Sequence, residues 1–230
     1  MDISVDGGLR NDPGSPIELR YLEKLSIREW GDNFSALFPL IHAPLLTQLE
    51  YRKRGMGPIS STIIPLLDQA HIHTLITDGQ LFETIHFLEL LRHTPHLRSV
   101  IFKPSCFDDR PCTISMEELL CALTTADDDL AMAYIPELEE FECHVWNDLS
   151  TSTLVKFIMN RQTTFTSQKL RSVVVTFPGP RKDISELEGV LPSIVMGEVT
   201  VKIRYTSGSQ LQDFGSPLGS IQNTLSSHPF

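Results

Sequence analysis

Long hydrophobic runs are missing from this chain: no apolar stretch reaches ten residues in a length of 230. A membrane-crossing helix needs about twenty such residues in a row, so none is expected. The opening segment, MDISVDGGLRNDPGSP, lacks the basic start and apolar middle of a secretory signal. Cysteine is scarce, with four residues at Cys106, Cys112, Cys121 and Cys143. That number, without a secretory signal, predicts a reducing compartment, cytoplasm or nucleus, and free, mostly buried thiols. Basic charge is in deficit, with 19 Lys and Arg against 29 Asp and Glu and a net charge of -10. This excess of negative charge excludes nucleic acid and anionic membrane as primary partners, while leaving room for a local basic patch.

Catalytic signatures are missing too. No Gly-x-Gly-x-x-Gly turn, phosphate-cradling Walker loop or Gly-x-Ser-x-Gly elbow occurs. His71-Ile-His73 has the spacing of a metallohydrolase pair, but Leu75 stands where a binuclear site would place aspartate. His86 and His93 are seven apart and share a helix face, and Pro95 ends that helix before His96. Cys106 and Cys112 have no second pair at zinc-finger spacing. Asp127-Asp128-Asp129 lacks the alternating ligands and turn glycine of a calcium loop. No catalytic residue, metal ligand set or cofactor site is therefore assigned.

What the chain has is a repeat. Runs with apolar residues at positions one, four and six recur as LEKLSI, LTQLEY, IHTLIT, LRSVIF, LEEFEC and LRSVVV, with a looser copy in VTVKIRY. Their fourth positions are Leu25, Leu49, Leu75, Val100, Phe141, Val173 and Val201. Between them lie segments of helical periodicity. The first is capped by Asp32 or Asn33 and carries Leu37, Leu40 and Ile41. The second follows Ser60 or Ser61, and the third, 81–91, turns Phe82, Ile85, Leu88, Leu90 and Leu91 inward. Others begin at Met116, Ser152 and Ile184.

A strand and a helix every few dozen residues fits either a doubly wound α/β domain or a leucine-rich-repeat solenoid. Strands covered on both faces are nearly continuous apolar runs. These alternate, leaving Lys24, Ser26 and Arg28, then Gln48, Glu50 and Arg52, then Glu140, Glu142 and His144 on the other face. The expected fold is accordingly α/β, an irregular leucine-rich-repeat solenoid. It has a parallel concave sheet of about seven short strands with helices on the convex side.

The two tryptophans, Trp30 and Trp146, each fall eight residues after the first leucine of a run, at Leu22 and Leu138. Regular leucine-rich repeats place asparagine there. Both rings are expected to be buried at a strand-to-helix turn, with Asp32 and Asp148 near the next helix start.

The phrases LEKLSIREW, APLLTQLEY, TPHLRSVIF, IPELEEFEC and QKLRSVVVTF together resemble the repeat region of fungal F-box proteins, particularly the large basidiomycete set. The resemblance covers about residues 19–205. It implies a substrate-recognition module that presents a protein target to a ubiquitin ligase. No F-box-like segment precedes the repeats, so the chain reads as a fragment, a truncated product or an F-box-less relative. Docking to the ligase adaptor is implied only where an F-box lies upstream. The alternatives are a repeat scaffold unrelated to ubiquitin and an α/β enzyme with an unrecognised site.

Three regions are expected: a disordered or partial N-terminal lead over 1–18, the leucine-rich-repeat domain over 19–205, and a disordered Ser- and Gly-rich tail over 206–230. The candidate partner-binding residues lie on the concave face: Lys24, Arg28, Glu50, Arg52, Lys103, Glu140, Glu142 and His144. Their charge runs from basic at the N-terminal end, through acidic at the Phe141 unit, to small and apolar beyond. Such a surface selects a protein partner by complementarity. The loops of the long unit between Leu97 and Pro136 are a second candidate.

Overall fold

The computed structural model describes residues 2–3, 16–30, 35–54, 63–78, 82–104, 114–124, 134–144, 149–163, 170–178, 199–206 and 223–224. Its centre is a parallel sheet of seven strands: β3 (Lys24–Trp30), β5 (Gln48–Arg54), β6 (Thr74–Asp78), β7 (Ser99–Lys103), β8 (Glu140–His144), β9 (Ser172–Pro178) and β10 (Thr200–Thr206). Two-residue strands flank it, β1 (Asp2–Ile3) parallel to β3 and β11 (Asn223–Thr224) antiparallel to β10. A separate pair joins β2 (Ile17–Glu18) to β4 (Ile41–His42). The expected lead and tail thus each contribute short strands, and most of their residues lie outside those described.

Spatial order in the sheet follows chain order without reversal. The fourth positions of the sequence runs pair in register throughout: Leu25 with Leu49, then Leu75, Val100, Phe141, Val173 and Val201. Immediately before the strands runs a second ladder. The carbonyls of Glu23, Thr47, His73, Arg98 and Glu139 each accept two N–H groups from the next unit. A shared turn precedes it, with the N–H of Leu22, Leu46, Leu97 and Leu138 donating to the carbonyl three residues back.

Among the described residues four α-helices connect these strands: α1 (Ile64–Gln69), α2 (Thr84–Arg92), α3 (Met116–Thr124) and α4 (Thr151–Thr163). Helices α2, α3 and α4 set buried residues at three- and four-residue spacing, and α1 sets Leu66 and Leu67, against the sheet face that carries Leu25, Leu49 and Leu75. Leu66 and Leu67, Phe87, Leu90 and Leu91, Leu119, Leu120 and Leu123, and Leu154, Phe157 and Ile158 share one core with Leu25, Leu49, Leu75, Val100, Phe141 and Val173. The core therefore lies on one face of the sheet. Right-handed crossovers that always add the next strand on the same side leave the helices on that side. Aromatic rings thread it, Phe87 to Phe102 at 5.1 Å, Phe102 to Phe141 at 6.1 Å and Phe141 to Phe157 at 5.5 Å between centroids.

Helix starts are joined from unit to unit. Ser115 caps α3 by accepting from the Glu118 N–H, and its own N–H donates to Thr84 Oγ1 at the start of α2. Ser150 caps α4 through the Thr153 N–H, and its own N–H donates to Glu117 of α3 at 2.8 Å. Burial would raise the Glu117 carboxyl, but the donors from Ser150 and Thr153, with Lys156 nearby, hold it below the usual carboxylate range.

Deep in the core, Arg161 is 1% exposed. Its guanidinium donates to the carbonyls of Tyr134 and Ile135 at 2.9 and 3.0 Å. Ile135 has φ 45°, a costly conformation for a β-branched residue, so the arginine fastens a strained turn. Burial lowers its pKa to about 10, leaving it charged at neutral pH.

Several local expectations change. The segment after Asn33 forms a 3-10 helix over Ser35–Leu40, and Ile41 belongs to β4 because it pairs with Ile17. In α2 the inward face is Phe87, Leu90 and Leu91, while Ile85 is 69% exposed. Helix α1 is capped by Ile63 with no side-chain bond; Ser60 and Ser61 lie outside the described residues. Cys143 is buried but Cys121 is exposed. Trp30 ends β3 opposite Arg54. Its side chain, all of Trp146, and the expected helix from Ile184 lie outside the described residues.

Candidate functional site

Strand alternation turns every second residue away from the helices. In-register pairing lines these residues into two continuous rows across the sheet, and a third continues toward the strand ends, where β5–β6 pairing stops at Glu50–Ile76 and β7–β8 pairing at Ile101–Glu142. The first row is Lys24, Gln48, Thr74, Ser99, Glu140, Ser172 and Thr200. The second is Ser26, Glu50, Ile76, Ile101, Glu142, Val174 and Lys202, and the third, toward the strand ends, is Arg28, Arg52, Asp78, Lys103, His144, Thr176 and Arg204. All eight sequence-chosen residues occupy this face. Lys24, Arg28, Glu50 and Arg52 sit together on β3 and β5. Lys103, Glu140, Glu142 and His144 sit together on β7 and β8, and β6 lies between the groups.

The face is less wet than alternation alone implies. Ile76, Asp78, Ser99, Val174 and Thr176 are buried although they point away from the main core. They belong to the central strands β6 and β7 and to β9. Inner strands are shielded by neighbours on two sides, and small residues are covered by longer ones beside them.

Electrostatic contacts organise both groups. Arg52 Nε lies 2.8 Å from Glu50 Oε1, with both side chains largely buried. Ser99 donates to Glu140 at 3.2 Å across the β7–β8 pair. Glu142 reaches over β9 to Arg204, 3.6 Å away. Burial and then the Arg204 charge push His144 down to about 4, so its ring is neutral at pH 7. The Thr176 hydroxyl, between His144 and Arg204 in its row, is buried without a hydrogen-bond partner among the described residues.

Arg204 and Lys202 were not among the residues chosen from sequence. The expected change from acidic to small and apolar residues ends at β9, and β10 restores positive charge. The signal was the alternation in VKIRY, a run lacking the leading leucine or isoleucine of the others.

On the opposite edge, before the strands, a line of polar contacts absorbs the histidines. His93 bonds Asp68 at 2.8 Å, and His96 bonds Glu137, which also takes Arg98. The His96 and Arg98 bonds outweigh burial and hold the Glu137 carboxyl low. The His71 and His96 rings lie 5.8 Å apart, and His86 approaches Glu83 at 3.8 Å. Among the described residues no three His, Cys, Asp or Glu side chains are grouped to hold a metal ion. Among them, too, no helix is long and apolar enough to cross a membrane. Cys106, Cys112 and Asp127 to Asp129 lie outside those residues, as do most loop residues of the long unit.

Comparison of the chain with protein-family models, with curated proteins and with solved structures finds no match.

Proposed function

We propose that the chain is a non-enzymatic protein-binding module, an irregular leucine-rich-repeat solenoid whose open sheet face receives a protein target. The observation that carries this reading is the register. One residue position of a degenerate sequence repeat runs unbroken across seven parallel strands, and the repeated backbone ladder accompanies it. A surface built this way is broad, charged and fixed by backbone bonding, which suits a macromolecular partner better than a small molecule enclosed in a cleft. The resemblance to fungal F-box proteins extends the proposal to substrate recognition for a ubiquitin ligase in the cytoplasm or nucleus. On that reading the ligase adaptor binds only through an F-box upstream of these repeats.

Photo-crosslinking tests the face directly. A photoreactive residue at Thr74 or Ile101, on the open face, should trap a protein partner in cell extract. The same residue at Ile85 or Met159, exposed on α2 and α4, should not. Trapping from the helix positions alone would refute the assignment.

A further inference from the structure

The third row concentrates positive charge in a chain that is otherwise strongly acidic. It carries Arg28, Arg52, Lys103 and Arg204, with Asp78 its one acid. Across all three rows there are six cations and four anions, a net of +2, on a chain whose total is -10. Asp78 is 3% exposed, whereas Arg28 is exposed and Lys103 half-buried. Among the described residues neither Arg28 nor Lys103 has a carboxylate at ion-pair distance, even though Asp78 and Lys103 are in register. Glu50 and Glu142 in the second row hold Arg52 and Arg204 in place, so those guanidinium groups are positioned in advance.

We infer that this row is the specificity element of the docking face and that it takes an extended acidic segment of a protein partner lying across the strands. The inference rests on the proposed reading of the face as a docking surface. Paired strands are spaced about 4.8 Å apart, so Arg28 on β3 and Arg204 on β10, six strands apart, are separated by at least about 29 Å along the sheet, since β5–β6 and β7–β8 stop pairing before this row. An extended segment advancing about 3.3 Å per residue covers that span with about nine residues. Alternate side chains then face the row at intervals of about 7 Å. The second row opposes a uniformly polyanionic ligand, because Glu50 and Glu142 lie one step away. A peptide can meet them with N–H donors while its acids face the cations, and a nucleic-acid backbone has no such donors. The rest of the chain, net negative, also repels a polyanion of high charge density.

The test uses the full chain and a fluorescein-labelled ten-residue peptide alternating glutamate with serine, followed by fluorescence anisotropy. Binding is expected at 20 mM salt and should weaken at least tenfold at 300 mM. Arg28→Glu with Lys103→Glu should weaken it at least tenfold at low salt. Arg92→Glu with Lys156→Glu, the same charge change on the helix side, should alter it less than threefold. Circular dichroism establishes that both variants are folded, and Arg28→Gln with Lys103→Gln serves in place of the reversal if it unfolds the chain. The inference is overturned if the peptide does not bind or if the row and helix-side variants lose binding equally. It also falls if a ten-nucleotide thymidylate strand or a lysine–serine peptide binds more tightly. Crosslinking from Thr74 or Ile101 would survive such a failure if the face still docks proteins by other chemistry, so the two proposals fail separately.

Discussion

Lowering the pH from 7 to 5 should destabilise the fold, with a separable contribution from His144. The ring titrates near 6.5 when unfolded and is pushed down to about 4 in the fold, mainly by burial and then by Arg204. Because the folded value is the lower one, the neutral ring favours the folded state. This contribution is complete above the unfolded value and shrinks as pH falls from 6.5 toward 4. Integrating proton uptake between those two values places the loss at about 2 kcal/mol on going from pH 7 to 5, and about 3 kcal/mol by pH 4. Carboxylates also titrate toward the acid end, so a difference measurement is required. Urea unfolding at half-unit pH steps, for the natural chain and for His144→Gln, isolates the histidine. The natural chain should lose about 2 kcal/mol more than the variant between pH 7 and 5. Ring resonances should show His144 titrating with a midpoint near 4. Parallel stability curves for the two proteins would refute the burial of His144 and the influence of the Arg204 charge together.

Removing Phe141→Ala should cost about 4 kcal/mol, because it opens a cavity and breaks ring contacts with both Phe102 and Phe157. Thermal unfolding reads this, and Phe141→Leu should cost clearly less. Arg161→Met should cost about 3 kcal/mol by stranding the carbonyls of Tyr134 and Ile135 in the core. Hydrogen exchange should then rise first in the 134–138 turn. Glu117→Ala should cost about 1 kcal/mol and loosen the start of α4, visible as faster exchange at Ser150 and Thr153.

The sheet was legible because its signal is repeated. A single LxxLxI run is ambiguous, but seven of them fixed a common register, and the strands pair at the predicted positions from Leu25 to Val201. Helix faces were less legible. With five apolar residues among the nine of α2, several inward stripes satisfy the period, and Ile85 was chosen over Phe87. Ile41 was read into a helix because its strand partner, Ile17, is twenty-four residues away and the pair is only two residues long. The candidate face was legible by alternation at every strand whose run opens with leucine or isoleucine. Arg204 escaped because β10 lacks that opening residue, and so did its hold on His144, which depends on a contact across β9. No local pattern encodes how far Ile76 or Val174 is covered by flanking strands, since that depends on neighbours from other units.

The backbone ladder before the strands has a consequence for how such a chain changes in length. Each of these carbonyls from Glu23 to Glu139 bonds the following unit, and none of the seven strands is inserted between two that precede it in the chain. A whole unit could therefore be duplicated or deleted in the gene without rethreading the chain, provided the cut falls at equivalent positions. Its neighbours would meet the same two N–H donors and the same carbonyl. The separation between the two charged groups of the open face would then change in steps of one strand width, giving related chains rulers of different length from the same local rules.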